Sequence, residues 1–197
     1  MLRNKFKQGI IKAGRKLPFS NNCLDELINR FGLERLTLYQ QEMFLLPSHA
    51  AMVREELPLW EKLYLPRSLL GKTVLDVGAG CGETAFFYIY HGAKRVVCIE
   101  SDTLACKLIR VNRQRLNLNV EIICSKFNLD HLYIPHDFMK MDIEGGESLL
   151  LGWHGKLQEC VIETHDPIIS SVLSSKYGLK VKTRLSNGCS ILASQSE

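Results

Sequence analysis

The stretch VLDVGAGCGE, residues 74–83, decides the fold, because a strand pattern in it runs directly into a glycine-rich turn. Gly78, Gly80 and Gly82 allow the backbone to turn sharply and to approach a ligand closely, since glycine has no Cβ. A helical pattern then begins at Glu83. A strand, a glycine turn and a helix in this order are typical of the first unit of an α/β sheet.

Strand and helix patterns alternate through the remainder of the chain. Strand-like runs cover residues 73–77, 95–100, 120–124, 138–143, 157–163, 179–185 and 189–193. Helical patterns between them cover residues 83–90, 102–116, 149–151 and 167–176. Repeated β–α units predict an α/β fold with a doubly wound (Rossmann-like), mostly parallel seven-stranded sheet. Asn187-Gly188 between the last two runs predicts a C-terminal antiparallel hairpin.

The distribution of charge separates two regions. The chain has 25 basic and 21 acidic residues, and the first 70 residues hold 11 and 7 of them, so the whole net charge of +4 lies ahead of Gly71. Helical patterns cover residues 2–17, 24–30 and 37–43, and no strand pattern precedes Gly71. We therefore expect a helical, basic N-terminal extension, residues 1–70, that acts as a lid or accessory segment, followed by a sheet domain, residues 71–197.

The composition excludes several classes of protein. An apolar fraction of 46% and a charged fraction of 23% are typical of a globular chain and not of a disordered one. No apolar run approaches the ~20 residues of a transmembrane segment, and none resembles a signal peptide. The seven cysteines are odd in number and no pair has CxxC spacing, so we expect a cytoplasmic protein with neither a disulfide framework nor a zinc site.

The spacing of the glycines narrows the choice of ligand. A dinucleotide fingerprint needs Gly or Ala three residues after Gly80, where this chain has Glu83, and an acid at a helix N-terminus would repel a pyrophosphate. S-adenosylmethionine carries no phosphate, and its cationic sulfonium and ammonium groups suit Asp76, which leads into the loop. Glu100 ends the second strand, close to the offset from Asp76 at which an acid bonds ribose hydroxyls.

Two motifs carry a family resemblance. DVGAGCG followed by Glu100 resembles class I S-adenosylmethionine-dependent methyltransferases. KMDIEGGE, residues 140–147, resembles the K-x-D-x-E-G-x-E signature of the FkbM-like methyltransferases, with Gly146 where that family usually has Ala, and VIETH, residues 161–165, resembles the end of that family's fifth strand. The resemblance covers residues 71–193 and implies O-methylation, often of sugars or glycosylated products.

Polar residues at the carboxyl ends of the fourth and fifth strands form the candidate catalytic set, which is Lys140, Asp142, Glu144, Glu163 and His165. A hydroxyl is a poor nucleophile at neutral pH, so a base near it is useful. The same groups could shift one another's pKa or hold a divalent cation, but their spacing is specific for no metal, and we expect no resident metal. Plain structural roles are the alternative: the acids could cap a helix, Lys140 could pair with an acid, and His165 could lie in a turn.

The candidate cofactor-binding residues come from the glycine loop and the ends of the neighbouring strands. They are Asp76, Gly78, Ala79, Gly80, Gly82, Glu100, Ser101, Phe127 and Asp142. Phe127 could stack on adenine or belong to the core. Tyr64 and Arg67, just before the first strand of the sheet domain, could close over the cofactor.

Three hypotheses remain for the acceptor. A small-molecule, sugar or glycosylated acceptor is favoured, because the sheet domain has no net charge and lacks nucleic-acid motifs. The alternative is an RNA acceptor, for which the basic helix at residues 2–17 would add affinity; that helix could also lie on an anionic membrane or serve as a lid. The second alternative is a binding module that keeps the cofactor site and has lost the chemistry.

Overall fold

The computed structural model describes residues 21–185 and 188–194. The N-terminal segment contains α1 (Asn21–Phe31), β1 (Glu34–Leu38), β2 (Gln41–Leu45) and α2 (Pro47–Tyr64). The large sheet and its helices follow as β3 (Thr73–Val77), α3 (Glu83–Tyr90), β4 (Arg95–Glu100), α4 (Thr103–Leu116), β5 (Val120–Cys124), β6 (Phe138–Met141), β7 (Glu159–Thr164), α5 (Pro167–Tyr177), β8 (Lys180–Arg184) and β9 (Ser190–Ala193). Two 3₁₀ helices, Leu129–Tyr133 and Gly146–Gly152, flank β6. The helix predicted at residues 2–17 lies outside the described residues.

The large sheet confirms the predicted fold class. Its strands lie in the order β5-β4-β3-β6-β7-β9-β8; the first five are parallel, and β9 is antiparallel to both β7 and β8. The chain runs outward from β3 to β5 and then crosses back, so that β6 pairs with the other edge of β3. A crevice opens at the carboxyl ends of the strands where the winding direction reverses in this way.

Local sequence explains several element boundaries. The Asp102 carboxylate accepts hydrogen bonds from the N–H groups of Leu104 and Ala105 and caps α4, as the sequence predicts. β6 ends at Met141, two residues earlier than predicted, and Glu144 and Gly145 farther along adopt positive φ angles of 52° and 92° that no strand accommodates. None of the helices in the described part of the chain is both long enough and apolar enough to cross a membrane.

Alternate residues of the strands contribute to apolar cores on the two faces of the sheet. Val74 and Val96 belong to the core that includes α3, α4 and the N-terminal segment. Leu75 and Val97 belong to the core on the other face, which includes Leu173 of α5. This alternation follows from the period of two along a strand. The crevice at the carboxyl ends of the strands therefore lies between two packed layers.

The N-terminal segment is not all-helical, so the prediction of helix at residues 37–43 is wrong. Those residues lie in the antiparallel β1–β2 hairpin, in which Leu38 pairs with Gln41. Tyr39 and Gln40 form its turn with φ angles of 47° and 68°. Positive φ at both central residues is typical of a type I′ turn. The Tyr39 ring stacks on that of Tyr90, with 4.0 Å between centroids, and so holds the hairpin against α3.

The N-terminal segment shares its core with the sheet. Phe44 of β2 and Trp60 of α2 are at most 3% exposed and pack in the same core as α3 and α4. The buried Asn112 of α4 accepts a hydrogen bond from the Phe44 N–H and donates to the carbonyl oxygens of Phe44 and Cys81. The amide thus ties β2 to α4 and to the loop after β3.

The structure contains a disulfide between Cys106 and Cys124, contrary to the expectation of none. Cys106 lies in the first turn of α4 and Cys124 ends β5. Pairing of β4 with β5 brings the ends of these segments together, and the two Cα atoms lie 6.0 Å apart across 18 residues of sequence. Motif spacing could not reveal this pair, because only the parallel sheet makes the two residues neighbours.

Candidate functional site

A cavity of about 510 Å³ opens at the carboxyl ends of the central parallel strands. The loops after β3, β4, β5 and β6 contribute to its walls through Gly78, Glu100, Phe127 and Asp142. α2 covers one side and contributes Tyr64 to the lining. A volume of this size is typical of a small-molecule site, and the cavity lies where the winding of the sheet reverses.

The glycine loop brings its backbone to the cavity wall. Gly78 and Gly80 have φ angles of +77° and +55°, a region that favours glycine. A Cβ on Gly78 would lie 1.8 Å from the carbonyl oxygen of Asp142, and a Cβ on Gly80 would lie 2.5 Å from Oε1 of Glu83. Gly78 therefore excludes a side chain because it packs against backbone, whereas a Cβ on Gly80 would displace the ends of the Glu83 and His49 side chains; the backbone of both residues lines the cavity.

Glu100 is held at the end of β4 by two backbone N–H groups. Its Oε2 accepts a hydrogen bond from Gly80 at 2.9 Å, and its Oε1 accepts one from Asp102 at 2.8 Å. Each carboxylate oxygen has a second lone pair, so the group keeps acceptor capacity toward the cavity that it lines. Ser101 lines the cavity beside it. An acid fixed in this way is suited to binding a pair of hydroxyl groups.

The loop after β5 forms the wall beyond Glu100. Ser125, Lys126 and Phe127 all line the cavity. Phe127 is 9% exposed, lines the cavity and also packs in the apolar core. The two roles that the sequence left as alternatives are therefore compatible in one side chain.

A buried ion pair lies beneath the glycine loop. Nζ of Lys140 donates to the carbonyl oxygen of Gly78 at 2.9 Å and lies 3.7 Å from carboxylate oxygens of both Asp76 and Asp142. Burial alone would lower the pKa of Lys140, but the two carboxylates outweigh it and the pKa is raised. Lys140 is thus a permanent cation that joins the loop after β3 to the loop after β6.

Asp76 supports the glycine loop and does not line the cavity. It is fully buried and accepts a hydrogen bond from the Thr84 hydroxyl at 2.6 Å. Burial raises its pKa to about 6, against the opposing effect of Lys140. Ala79 and Gly82, two other candidate cofactor residues, are likewise buried and absent from the cavity wall.

His165 lies among four carboxylates at the end of β7. Its Nδ1 lies 3.2 Å from Oε1 of Glu147, and its Nε2 lies 3.7–4.0 Å from Glu144, Asp142 and Glu163. Glu147 is 1% exposed, and its Oε1 also accepts hydrogen bonds from two backbone N–H groups in the loop after β6. The imidazole is therefore oriented from one side by a fixed carboxylate, which is the geometry of a supported base.

The charge of the cluster changes the titration of His165. Burial alone would lower its pKa, but the carboxylates of Glu147, Asp142 and Glu144 outweigh this effect and raise it. The structure brings all five candidate catalytic residues together, as expected from the ends of adjacent strands. Lys140, Asp142 and Glu144 line the cavity, whereas Glu163 and His165 lie behind Asp142.

Tyr64 connects α2 to the same cluster. Its hydroxyl donates to Oε2 of Glu163 at 2.8 Å. Burial, together with the nearby Asp142, raises the pKa of Glu163 to about 7. Arg67, which the sequence grouped with Tyr64, instead lines a groove beside Phe138 at the opposite, amino-terminal end of the strands.

Sequence reasoning missed the residues that α2 contributes to the cavity. They are His49, Met52, Glu56 and Trp60, in addition to Tyr64. Their spacing of three and four residues is the pattern of a single helix face, and this pattern could have marked them as a group. Glu147 was also missed as a site residue, although it belongs to the KMDIEGGE motif. Glu83 and Thr84 at the start of α3 complete the set that was overlooked.

Two groups of side chains around His165 have the composition of a cation site. One consists of Asp142, Glu144 and His165, the other of Glu163, His165 and Cys189, and in each the candidate ligand atoms lie within 4.8 Å of one another. Both need Nε2 of the same imidazole, because its Nδ1 faces Glu147. The absence of a resident metal stays a prediction.

Comparisons with known proteins agree with this architecture. No family model matches the chain. Protein arginine N-methyltransferase 6 from Xenopus tropicalis is 46% identical over 48 residues, which are 23% of this chain and only 14% of that protein. A stretch this short carries no conclusion about the activity of the whole chain.

Solved structures resemble the chain over most of its length. The C-terminal domain of precorrin-6Y C5,15-methyltransferase from Rhodobacter capsulatus is 14% identical with a TM-score of 0.51, over 71% of this chain and 86% of that one. TYW2 from M. jannaschii, in complex with AdoMet, is 17% identical with a TM-score of 0.57, over 82% and 83%. Ribosomal protein L11 methylase from Lactobacillus delbrueckii subsp. bulgaricus is 16% identical with a TM-score of 0.58, over 80% and 88%. At these identities the likeness shows that the chain has the fold of class I S-adenosylmethionine-dependent methyltransferases.

Proposed function

We propose that the protein is an S-adenosylmethionine-dependent methyltransferase that methylates an oxygen atom of a small-molecule, sugar or glycosylated acceptor. One observation carries the proposal: a single cavity joins the glycine loop and Glu100 to Lys140, Asp142 and Glu144, and Nε2 of His165 lies 3.8 Å from the Asp142 carboxylate in that lining. The domain of residues 71–197 would perform the chemistry, and residues 1–70 would act as an accessory segment whose α2 covers the cavity.

The residues at one end of the cavity fit the cofactor. Gly78 and Gly80 place their backbone in the cavity wall, Glu100 presents a fixed carboxylate to the ribose hydroxyls, and Phe127 offers an aromatic side chain to the adenine. The cofactor supplies a methyl group already activated by the sulfonium. The protein then has to align the acceptor oxygen with that group and remove the oxygen's proton.

The pair of Glu147 and His165 is suited to removing that proton. Glu147 fixes the ring through Nδ1, so that Nε2 faces Asp142, whose side chain lines the cavity. A neutral imidazole can accept a proton at Nε2, and the surrounding carboxylates stabilise the imidazolium that results. His165 would therefore act as the general base and Glu147 as the residue that orients it.

The charge of the acceptor end disfavours an anionic acceptor. Glu56, Asp142 and Glu144 line this part of the cavity, while the ammonium of Lys140 is already paired with two carboxylates. Carboxylates accept hydrogen bonds from hydroxyl groups and repel phosphates. This lining supports a sugar or another polyol, in agreement with the FkbM-like motif at residues 140–147.

Calorimetry with S-adenosylhomocysteine tests the cofactor assignment. We expect micromolar-range binding that Glu100→Ala weakens several-fold, because the ribose loses its carboxylate partner. Glu55→Ala on the exposed face of α2 provides the control and should bind as the wild type does. Absence of binding to the wild-type protein would exclude the proposed function.

A screen of methyl acceptors tests whether the protein methylates an oxygen atom of a small or glycosylated molecule. Transfer of a radiolabelled methyl group should be measured to neutral glycosides, to an arginine peptide and to RNA. We expect product with a glycoside, lost in His165→Asn. Transfer to the peptide or to RNA would replace the proposed acceptor, and cofactor binding without transfer to any of them would favour the non-catalytic module.

An RNA acceptor is the second candidate, and the surface of α4 favours it. Residues 103–116 contain four basic side chains and no acid, and Lys107 and Arg110 are exposed. Lys126 lines the cavity nearby. If RNA binds this face, its affinity should fall steeply with salt, and the double change Lys107→Ala and Arg110→Ala should reduce that slope. RNA binding that changes neither with salt nor in the double variant would exclude an RNA acceptor.

A further inference from the structure

One carboxylate in the cavity wall lacks a partner that the chemistry of the group demands. Glu83, the first residue of α3, is 2% exposed and lines the cavity. Its Oε1 lies 2.8 Å from Nδ1 of His49, but among the described residues nothing forms a hydrogen bond with its buried Oε2. A buried, ionised oxygen without a donor is costly, so such an atom at a cavity wall marks the place of a ligand donor.

The neighbouring cations cannot satisfy this oxygen. The ammonium of Lys140 is committed to the Gly78 carbonyl and to two aspartates. His49 contributes its Nδ1 to the other oxygen of Glu83, and this hydrogen bond is the main reason why the pKa of His49 is raised. Oε2 of Glu83 therefore keeps acceptor capacity that the described residues do not use, and a cationic donor on a ligand would balance the charge best.

We infer that Glu83 binds the α-ammonium group of the cofactor's amino-acid end, with His49 as the residue that positions its carboxylate. The inference rests on the proposed function and assigns one part of the cofactor. Of the two cationic groups of S-adenosylmethionine, the sulfonium has no N–H or O–H to donate, whereas the ammonium has three donors. Gly80 lies directly beside this point, because a Cβ on it would lie 2.5 Å from Oε1 of Glu83.

The position of His49 gives the N-terminal segment a share in this subsite. His49 lies in the first turn of α2, and its ring would be 2.7 Å from a Cβ on Gly80. The ring thus occupies the space above one glycine of the loop and orients Glu83 from the cavity side. Residues outside the stretch that carries the family motifs would consequently help to recognise the cofactor.

Three ligands distinguish binding at this subsite from binding at the remainder of the cofactor site. S-adenosylhomocysteine carries the complete amino-acid end, its deaminated analogue lacks only the ammonium, and 5′-methylthioadenosine lacks both the ammonium and the carboxylate. Their affinities for wild-type protein, Glu83→Gln and the surface control Glu55→Gln should be measured by calorimetry. Glu83→Gln should weaken S-adenosylhomocysteine by about tenfold or more, the effect of losing one charged hydrogen bond. Glu83→Gln should change the affinities for the other two ligands by no more than about twofold.

His49→Gln should show the same selectivity with a smaller loss, because it disturbs only the orientation of the carboxylate. An equal loss for all three ligands would mean that Glu83 merely supports the loop, and no loss for S-adenosylhomocysteine would place its ammonium elsewhere; either result overturns the inference. Wild-type protein that binds none of the ligands would instead overturn the proposed function. Thermal unfolding of each variant shows that the protein compared is folded.

Discussion

Gly78 is the residue on which the contact between the loops after β3 and β6 depends most directly. Gly78→Ala would place a Cβ 1.8 Å from the Asp142 carbonyl oxygen, so we expect the loops to separate. Gly71 is a matched control, because its φ of +76° is nearly the same as the +77° of Gly78 and a Cβ there would meet nothing within 4 Å. In urea unfolding, Gly71→Ala should cost about 1–2 kcal/mol, the strain of a left-handed residue. Gly78→Ala should cost clearly more and abolish binding of S-adenosylhomocysteine, and equal costs would contradict this account.

Glu147 should set the pH at which His165 becomes a base. The neutral imidazole forms only above its raised pKa, so the rate of methyl transfer should rise with pH through a value above the ordinary 6.5. Glu147→Gln removes a buried negative charge beside the ring and should move this rise to lower pH. Glu144→Gln is the matched control: the Glu144 side chain is 88% exposed, so solvent screens it and the shift should be smaller. A profile unchanged by Glu147→Gln would assign the proton to another group.

Individual site residues were predictable where a strand end fixes them. Asp142, Glu144, Glu163 and His165 follow adjacent parallel strands, and the pairing of β6 with β7 brings them together as expected. His49 and Glu56 could not be predicted in this way, because they approach the cavity from a helix outside the sheet. Asp76 is the opposite case: its place before the glycines suggested ligand contact, but the side chain points into the buried layer beneath the loop.

Among the secondary-structure elements, the sequence failed to predict the hairpin whose turn contains no glycine. The parallel strands were found because each includes an apolar run between turn residues, the last two strands because Asn187-Gly188 lies between them, and Asp102 marked the start of α4. The β1–β2 hairpin was missed because Tyr39-Gln40 replaces the Asn-Gly that usually announces a type I′ turn. Tertiary packing explains why these residues accept positive φ, since the Tyr39 ring stacks on Tyr90.

The link between α2 and β7 should make stability depend on pH. The folded pKa of Glu163, about 7, lies above its ordinary 4.5, so its stabilising contribution is complete below pH 4.5 and is lost as the pH rises through 7. Tyr64→Phe removes the donor to this carboxylate. The loss in free energy of unfolding should be about 0.5–1.5 kcal/mol at pH 5 and about 1.5–3 kcal/mol at pH 8.5, where the partner is charged.

Tyr177→Phe is the matched control for that prediction. The Tyr177 hydroxyl donates to the carbonyl oxygens of Leu150 and Trp153, which do not titrate. In urea unfolding, the free energy of unfolding that Tyr177→Phe loses should therefore be the same at pH 5 and at pH 8.5. A pH-independent loss for Tyr64→Phe as well would show that Glu163 does not ionise in this range.

At the scale of the whole molecule, residues 21–70 should be required for the sheet to fold. Phe44 and Trp60 fill the core above α3 and α4, and Asn112 would lose its partners on β2. A chain of residues 71–197 should therefore lack a cooperative thermal transition by circular dichroism, whereas residues 21–197 should retain one. Cooperative unfolding of the shorter chain would show that the segment is a detachable accessory.

The pairing of β3 with β6 also determines the order in which the site can form during synthesis. Gly78 and Lys140 are in contact but lie 62 residues apart, and the whole of β4, α4 and β5 is made between them. A nascent chain that has completed β5 already holds the glycine loop, Glu100 and Phe127, yet one edge of its central strand is still unpaired. Such an apolar parallel edge is prone to association with other chains. The ribosome must therefore deliver β6 before the nascent sheet is closed, and the glycine loop waits for Lys140 and Asp142 before its contacts are complete.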